Sequence, residues 1–196
     1  FFLGLDERAQ LAALAEKQGR KLAVNQTGRW APYHAWLRQA VQQGLLGDIH
    51  SVDIHIAWNH TWIQGTPFEK IHHVVLYDFA IHWFDIVGCV FGPKKAESVY
   101  ANLRRIKGQT IDPPLSGHAV AAYQDALASL CFHAFSPYPA REQITVIGSN
   151  GIFRATGAPC SCNHVEWITG KGTAYPKLEG GWFPDGFAGT MGELLC

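Results

Sequence analysis

The run Val74-Val75-Leu76-Tyr77-Asp78-Phe79-Ala80-Ile81-His82-Trp83-Phe84-Asp85-Ile86-Val87-Gly88-Cys89-Val90-Phe91-Gly92 constrains the fold of this chain more than any other. It predicts one helix over 74–92, apolar nearly all round and therefore buried. At about 100° per residue, Asp78, His82 and Asp85 fall on nearly the same face. A buried carboxylate or imidazole must be hydrogen-bonded or put to use. Asp78 and His82 stand four apart, so their side chains can meet as a base and its orienting partner. A lone buried His or Asp is more often a satisfied structural group. Three ionisable groups on one face bring the functional reading level with that one. A membrane span is excluded, because each of the three costs about 2.5–3.5 kcal/mol at mid-bilayer. Gly92-Pro93 stops the helix.

Equal numbers of basic and acidic side chains, 16 each, give no electrostatic case for nucleic acid or a membrane surface. A chain of 196 residues with 47% hydrophobic content is long enough for a sizeable core. Phe1-Phe2-Leu3-Gly4-Leu5 is too short for a secretory h-region and has no basic residues before it. Of five cysteines only Cys160 and Cys162 lie close, at a spacing unlike a zinc knuckle, while Cys89 and Cys131 read as small core residues. A reducing cytoplasm is the expected compartment. The chain starts almost at once in a helical pattern and stops within one, as expected of a piece of a longer protein.

Asp6 caps a predicted helix that runs to about Gln18, and Lys21–Asn25 reads as a short strand, together the last αβ unit of a parallel α/β domain. Pro32 opens a second helix over about 31–44, with Trp36, Leu37, Ala40 and Val41 facing inward. Ile49 to Trp58 alternates as a strand. Residues 59–73 form a polar, aromatic loop of the kind that contacts ligands. Strands follow at about 95–106, 117–124, 126–135, 141–148, 151–155, 162–168 and 174–178, with Asn150-Gly151 marking a hairpin. The expected fold class is α+β: an open-faced, mostly antiparallel sheet with helices on one face.

Taken in order, several motifs resemble one family. They are Val24-Asn25-Gln26-x-x-Arg29-Trp30-x-Pro32, then Gly44-Leu45-Leu46-Gly47-Asp48-Ile49, then Asp78-x-x-x-His82-x-x-Asp85, then Val90-Phe91-Gly92, and finally Trp182-Phe183-x-Asp185-x-Phe187 with Gly189-Thr190-Met191. The chain is similar to the glucose–fructose oxidoreductase/inositol dehydrogenase/rhizopine-catabolism (Gfo/Idh/MocA) oxidoreductases over nearly its whole length. The resemblance implies an N-terminal Rossmann domain followed by an open-faced sheet domain that binds substrate and commonly forms the dimer interface. Residues 1–27 would then be the remnant of the Rossmann domain and 28–196 the substrate and dimerisation domain. No GxGxxG is present. NAD or NADP is therefore expected in the complete protein and not tightly bound to this chain alone.

The implied chemistry is hydride transfer from a CH–OH carbon of a sugar, polyol or related alcohol to nicotinamide. His82 is implied as the proton acceptor and Asp78 as its orienting partner or a hydroxyl ligand. Asp85 reads as structural, bonded to backbone or to Arg29. Asn25 and Arg29 are implied cofactor contacts, with Arg29 also a substrate contact. Trp58, Asn59, His60 and Trp62 suit a sugar-binding wall. Tyr33 is better placed in the core. A homodimer or higher homo-oligomer is expected.

Three other readings stay open. The ten histidines allow a metal enzyme, but no HxH or HExxH spacing appears, so no metal site is expected. A non-catalytic dimerisation module of the same fold is the second. The third is redox-neutral chemistry on a retained cofactor.

Overall fold

The computed structural model describes residues 5–196, so the Phe1–Gly4 part of the leader reading lies outside the described residues. Helix α1 (Leu5–Lys17) is followed by α2 (Pro32–Gln42), strand β1 (Ile49–Ala57) and helix α3 (Ile81–Phe91). Strands β2 (Ser98–Arg104), β3 (Ser116–Tyr123), β4 (Ala126–His133), β5 (Arg141–Gly148), β6 (Ile152–Ala158), β7 (Ser161–Thr169) and β8 (Gly172–Ala174) come next, and α4 (Trp182–Leu195) closes the chain.

All eight strands form one sheet in the order β2-β3-β4-β1-β5-β6-β7-β8. The β1–β4 pair is parallel and the rest are antiparallel. The α+β reading of the sequence holds. On β1 the residues Val52, Ile54 and Ile56 point inward and are at most 1% exposed, while His55 faces out. A register shift between Ile49 and Ser51 returns Ile49 to the buried side, against strict alternation. The core lies between this inner face and α2 and α3, with Leu37, Trp83, Ile86, Phe132, Ile144 and Phe153 fully enclosed. Trp36 of α2 stacks on Phe153.

The Gly44–Ile49 motif has a structural reason. Gly47, at φ +69°, lies where a Cβ would strike the Ser149-Asn150 turn. The Asp48 amide donates to Ser149 Oγ and the Asn150 amide to the Leu46 carbonyl. This loop therefore locks onto the β5–β6 hairpin expected at Asn150-Gly151.

Three expectations need correction. The strand expected at about 174–178 forms instead at Gly172–Ala174, where it can pair with β7, and 175–178 is irregular. Lys21–Asn25 is not a strand; it is irregular and exposed. A strand exists only with a ladder partner, and none is available among the described residues. The predicted helix over 74–92 is also not continuous. Val75–Phe79 winds as a π-helix, a turn follows at Ala80, and α3 starts at Ile81. π-turns widen the helix and change the facing of the residues they hold. The helix is also less buried than its composition suggests, with Tyr77 44% and Ile81 43% exposed. No helix among the described residues is long and apolar enough to cross a membrane.

Candidate active site

The Val24–Trp30 segment, rich in amide and guanidinium groups, runs across the N-terminal half of α3. It is held there by three different contacts. Arg29 grips Asp85 with Nε to Oδ2 and Nη2 to Oδ1, both at 2.7 Å. Trp182 of α4 donates from its indole to Thr27 Oγ1 at 3.1 Å. His34 Nδ1 donates to the Gly28 carbonyl at 2.8 Å. Gly28 allows this packing, because a Cβ there would meet the Trp182 ring at 2.7 Å.

This anchoring places Gln26 against His82. Gln26 Oε1 lies 3.2 Å from His82 Nδ1. A carbonyl oxygen only accepts, so Nδ1 carries the proton and Nε2 presents its lone pair. Among the described residues no hydrogen-bond partner is found for His82 Nε2. Trp182 stands edge-on to the imidazole at 5.8 Å between centroids and Trp83 at 6.2 Å. Burial holds the His82 pKa below its ordinary value, against the opposing charges of Asp78 and Asp85. The ring is therefore neutral at pH 7.

His82 lines a cleft of about 500 Å³ with Leu22, Asn25, Gln26, Tyr77, Asp78 and Ile81 among its walls. A larger hollow of about 590 Å³ lies across Tyr77, between His72–Tyr77 and β2. The smaller cleft is the candidate site because it holds an anchored, neutral base.

The structure thus brings together His82, Asp78 and Asn25 from the sequence reading. Asp78 makes no hydrogen bond to His82, because the π-turn and the break at Ala80 separate them; it acts on the imidazole through its charge. Arg29 does not line the cleft and is engaged with Asp85.

Trp58, Asn59, His60 and Trp62 do not line the cleft either. Trp58 and His60 are buried, and both indoles donate to His60 Nδ1, at 2.8 Å from Trp58 and 3.2 Å from Trp62. Trp58 stacks on Phe79 at 3.9 Å. Asn59 folds onto its own loop, accepting from the Thr61 amide and hydroxyl. An alternating aromatic and polar loop looks like a ligand wall in sequence; here the two indoles, His60 Nδ1 and the Asn59 side chain find partners within the loop, and His60 Nε2 is buried without one.

Two further residues carry the site and a third braces the helices behind it, none of them singled out by the sequence. Gln26 and Trp182 sit inside quoted motifs, but only the tertiary fold shows that they touch the imidazole or its anchors. Glu142 is 1% exposed and accepts from Trp83 Nε1 at 2.8 Å, Tyr33 Oη at 3.2 Å and the Cys160 amide at 2.9 Å. Burial pushes its carboxyl up to about 7. It ties α2, α3 and the β6–β7 turn to the sheet, and Tyr33 is a core residue as expected.

The chain belongs to the Gfo/Idh/MocA family: residues 34–154 match its description "GFO/IDH/MocA C-terminal domain". Solved structures share the fold. An oxidoreductase from Agrobacterium radiobacter, in complex with NAD+, L-tartaric acid and magnesium, is 17% identical with a TM-score of 0.73, covering 90% of this chain and 52% of its own. An inositol dehydrogenase homolog from Azotobacter vinelandii, complexed with NADH and myo-inositol, is 16% identical with a TM-score of 0.73, covering 89% and 48%. The WlbA dehydrogenase from Bordetella pertussis, in complex with NADH and UDP-GlcNAcA, is 20% identical with a TM-score of 0.68, covering 83% and 51%. The chain therefore spans about half the length of these structures. No curated protein matches it.

Proposed function

We propose that this chain is the substrate-binding half of an NAD(P)-dependent oxidoreductase acting on a CH–OH group of a sugar, polyol or related alcohol. Residues 1–27 would be the end of its cofactor domain and 28–196 the substrate domain. The observation that carries the reading is His82: a neutral imidazole with one nitrogen anchored by Gln26 and the other available at a cleft. Such a ring is a general base. It takes the hydroxyl proton on Nε2, and the charges of Asp78 and Asp85 favour the imidazolium that results.

The cleft residues fit the nicotinamide end of a dinucleotide. Leu22 and Val24, 50% and 54% exposed, offer apolar surface beside the amides of Asn25 and Gln26. When bound, the nicotinamide supplies the hydride acceptor. Asn25 would hold the cofactor's edge while Gln26 keeps the imidazole in its tautomer.

The test uses the full-length protein, a panel of sugars and polyols, and the absorbance of the reduced cofactor. We expect turnover with NAD+ or NADP+, and a loss in kcat of about 10²–10⁴-fold in His82→Ala with KM little changed. Undiminished turnover in that variant rejects the assignment.

The outer sheet face supports the proposal of a homodimer or higher oligomer. Tyr100, Val120, Leu127 and Ile147 stand exposed there. Light scattering should give at least a dimer, and a monomer at high concentration overturns it.

A further inference from the structure

The outer sheet face carries a second cluster, remote from His82 in sequence and on a different layer. In the β3–β4 hairpin His118 pairs with Cys131 and Ser116 with His133. This register sets His118, Cys131 and His133 side by side on the face away from the core, with their ligand atoms all within 4.8 Å of one another. Among the described residues it is the one group of three such side chains that stands together in this way. Cys131 is buried, but it is not the core residue its apolar neighbours suggest. It lies beneath the two exposed imidazoles, outside the main core.

We propose that His118, Cys131 and His133 bind a zinc-type divalent transition-metal ion. Cys131 Sγ lies 3.0 Å from His133 Nε2 and 3.3 Å from His118 Nε2. With metal–sulfur bonds of about 2.3 Å and metal–nitrogen bonds of about 2.0 Å, a tetrahedral ion sets sulfur and nitrogen about 3.5 Å apart. The ligand atoms are already near that spacing, so binding needs only small side-chain adjustment. One thiolate with two imidazoles is a borderline-soft set that suits zinc better than magnesium or calcium.

His133 also has the outer support that metal-bound imidazoles use. Its Nδ1 meets Ser116 Oγ at 3.4 Å, which leaves Nε2 for the ion. The ligands stand on paired strands, so the site is held by the sheet. On binding, the Cys131 thiol gives its proton to solvent as the sulfur–metal bond forms. Three protein ligands leave a fourth position for water or another donor. Cys160 and Cys162 are poor rivals, because burial beside Glu142 pushes the Cys160 thiol to about 12 and Cys162 higher still.

The experiment titrates metal-stripped full-length protein with Co2+ alone and then displaces it with Zn2+ alone. We expect one Co2+ per chain, a sulfur-to-cobalt charge-transfer band and intense tetrahedral d–d bands. His118→Ala and Cys131→Ser should each weaken Zn2+ binding about tenfold or more, and Ser116→Ala about tenfold. If Cys131→Ser fails to fold, the exposed His118→Ala and His133→Ala carry the comparison. Absence of the charge-transfer band, its survival in Cys131→Ser, or an affinity unchanged in His118→Ala overturns the site.

Discussion

Arg29 and Asp85 meet fork to fork, two hydrogen bonds at 2.7 Å each, and this pair fixes the segment that carries Gln26 against the helix that carries His82. The pair is unevenly buried, the Arg29 side chain being 38% exposed and that of Asp85 15%. Removing one partner should therefore not equal removing the other. Asp85→Ala leaves a guanidinium that can turn to water and should cost about 1–2 kcal/mol, between the exposed and buried cases. Arg29→Ala leaves a largely covered carboxylate unpaired and should cost more. Urea unfolding of the two variants checks the order. Equal losses would mean that the segment is held by Thr27–Trp182 and His34–Gly28 instead.

The Gln26–His82 contact makes a separate prediction about pH. With His82 as the proposed general base, activity needs the neutral imidazole, so it should rise with pH through the His82 pKa and then level off. Because burial holds that pKa down, the rise should lie below the ordinary value of 6.5. Gln26→Glu puts a negative charge beside the ring and should move the rise to higher pH by about one unit or more. Gln26→Ala should lower kcat without a comparable shift. A pH–rate profile that stays in place in Gln26→Glu would detach Gln26 from the base.

Much of this architecture was legible from pattern. The alternation in β1, the Pro32 start of α2 and the turn at Asn150-Gly151 are local signals, and they appear where the residues place them. The site was half legible. His82 and Asp85 follow from polar residues on an apolar helix, and Arg29 is one of the partners the sequence offers Asp85, but Gln26, the partner of His82, comes from a segment 56 residues away that nothing local links to the ring. The π-turn at Val75–Phe79 has no signature in residue type, so the Asp78–His82 spacing promised a contact that the backbone removes. Cys131 and His133, two apart on β4, share a face by their spacing, but only the strand register brings His118 to them.

Buried titratable groups should pull stability in opposite directions with pH. His34 and His60 have their pKa values lowered by burial to about 3 and about 4. Unfolding lets them take up protons, so their penalty is absent above pH 6.5 and grows as pH falls towards those values. Glu142 is raised from 4.5 to about 7 by burial, so the native state holds its proton longer. Its contribution is fullest below pH 4.5 and is lost as pH rises to about 7. Glu142→Gln removes only the second effect. Melting temperature in the variant should therefore climb more steeply than wild type from pH 4.5 to 7, whatever the absolute change. Parallel curves would place the Glu142 proton elsewhere.

Two helical glycines offer a contrast of sign. Ala for Gly in an exposed helix interior stabilises by about 0.5–1 kcal/mol when the new methyl meets nothing. Gly88 of α3 is such a position, with open space where its Cβ would stand. Gly186 of α4 is not. A Cβ there would lie 2.8 Å from the Thr27 Cβ and from its carbonyl oxygen, both in the segment under α4. Relief would require α4 to lift from that segment and to stretch the Trp182–Thr27 hydrogen bond. Gly186→Ala should therefore lose about 1–3 kcal/mol, the usual penalty for overpacking, while Gly88→Ala gains stability. Because Trp182 also walls the His82 ring, Gly186→Ala should lower kcat as well, and Gly88→Ala should leave it alone. Thermal melts and turnover of both variants test the coupling. A Gly186→Ala protein as stable and as active as wild type would show that α4 does not hold the Gln26 segment in place.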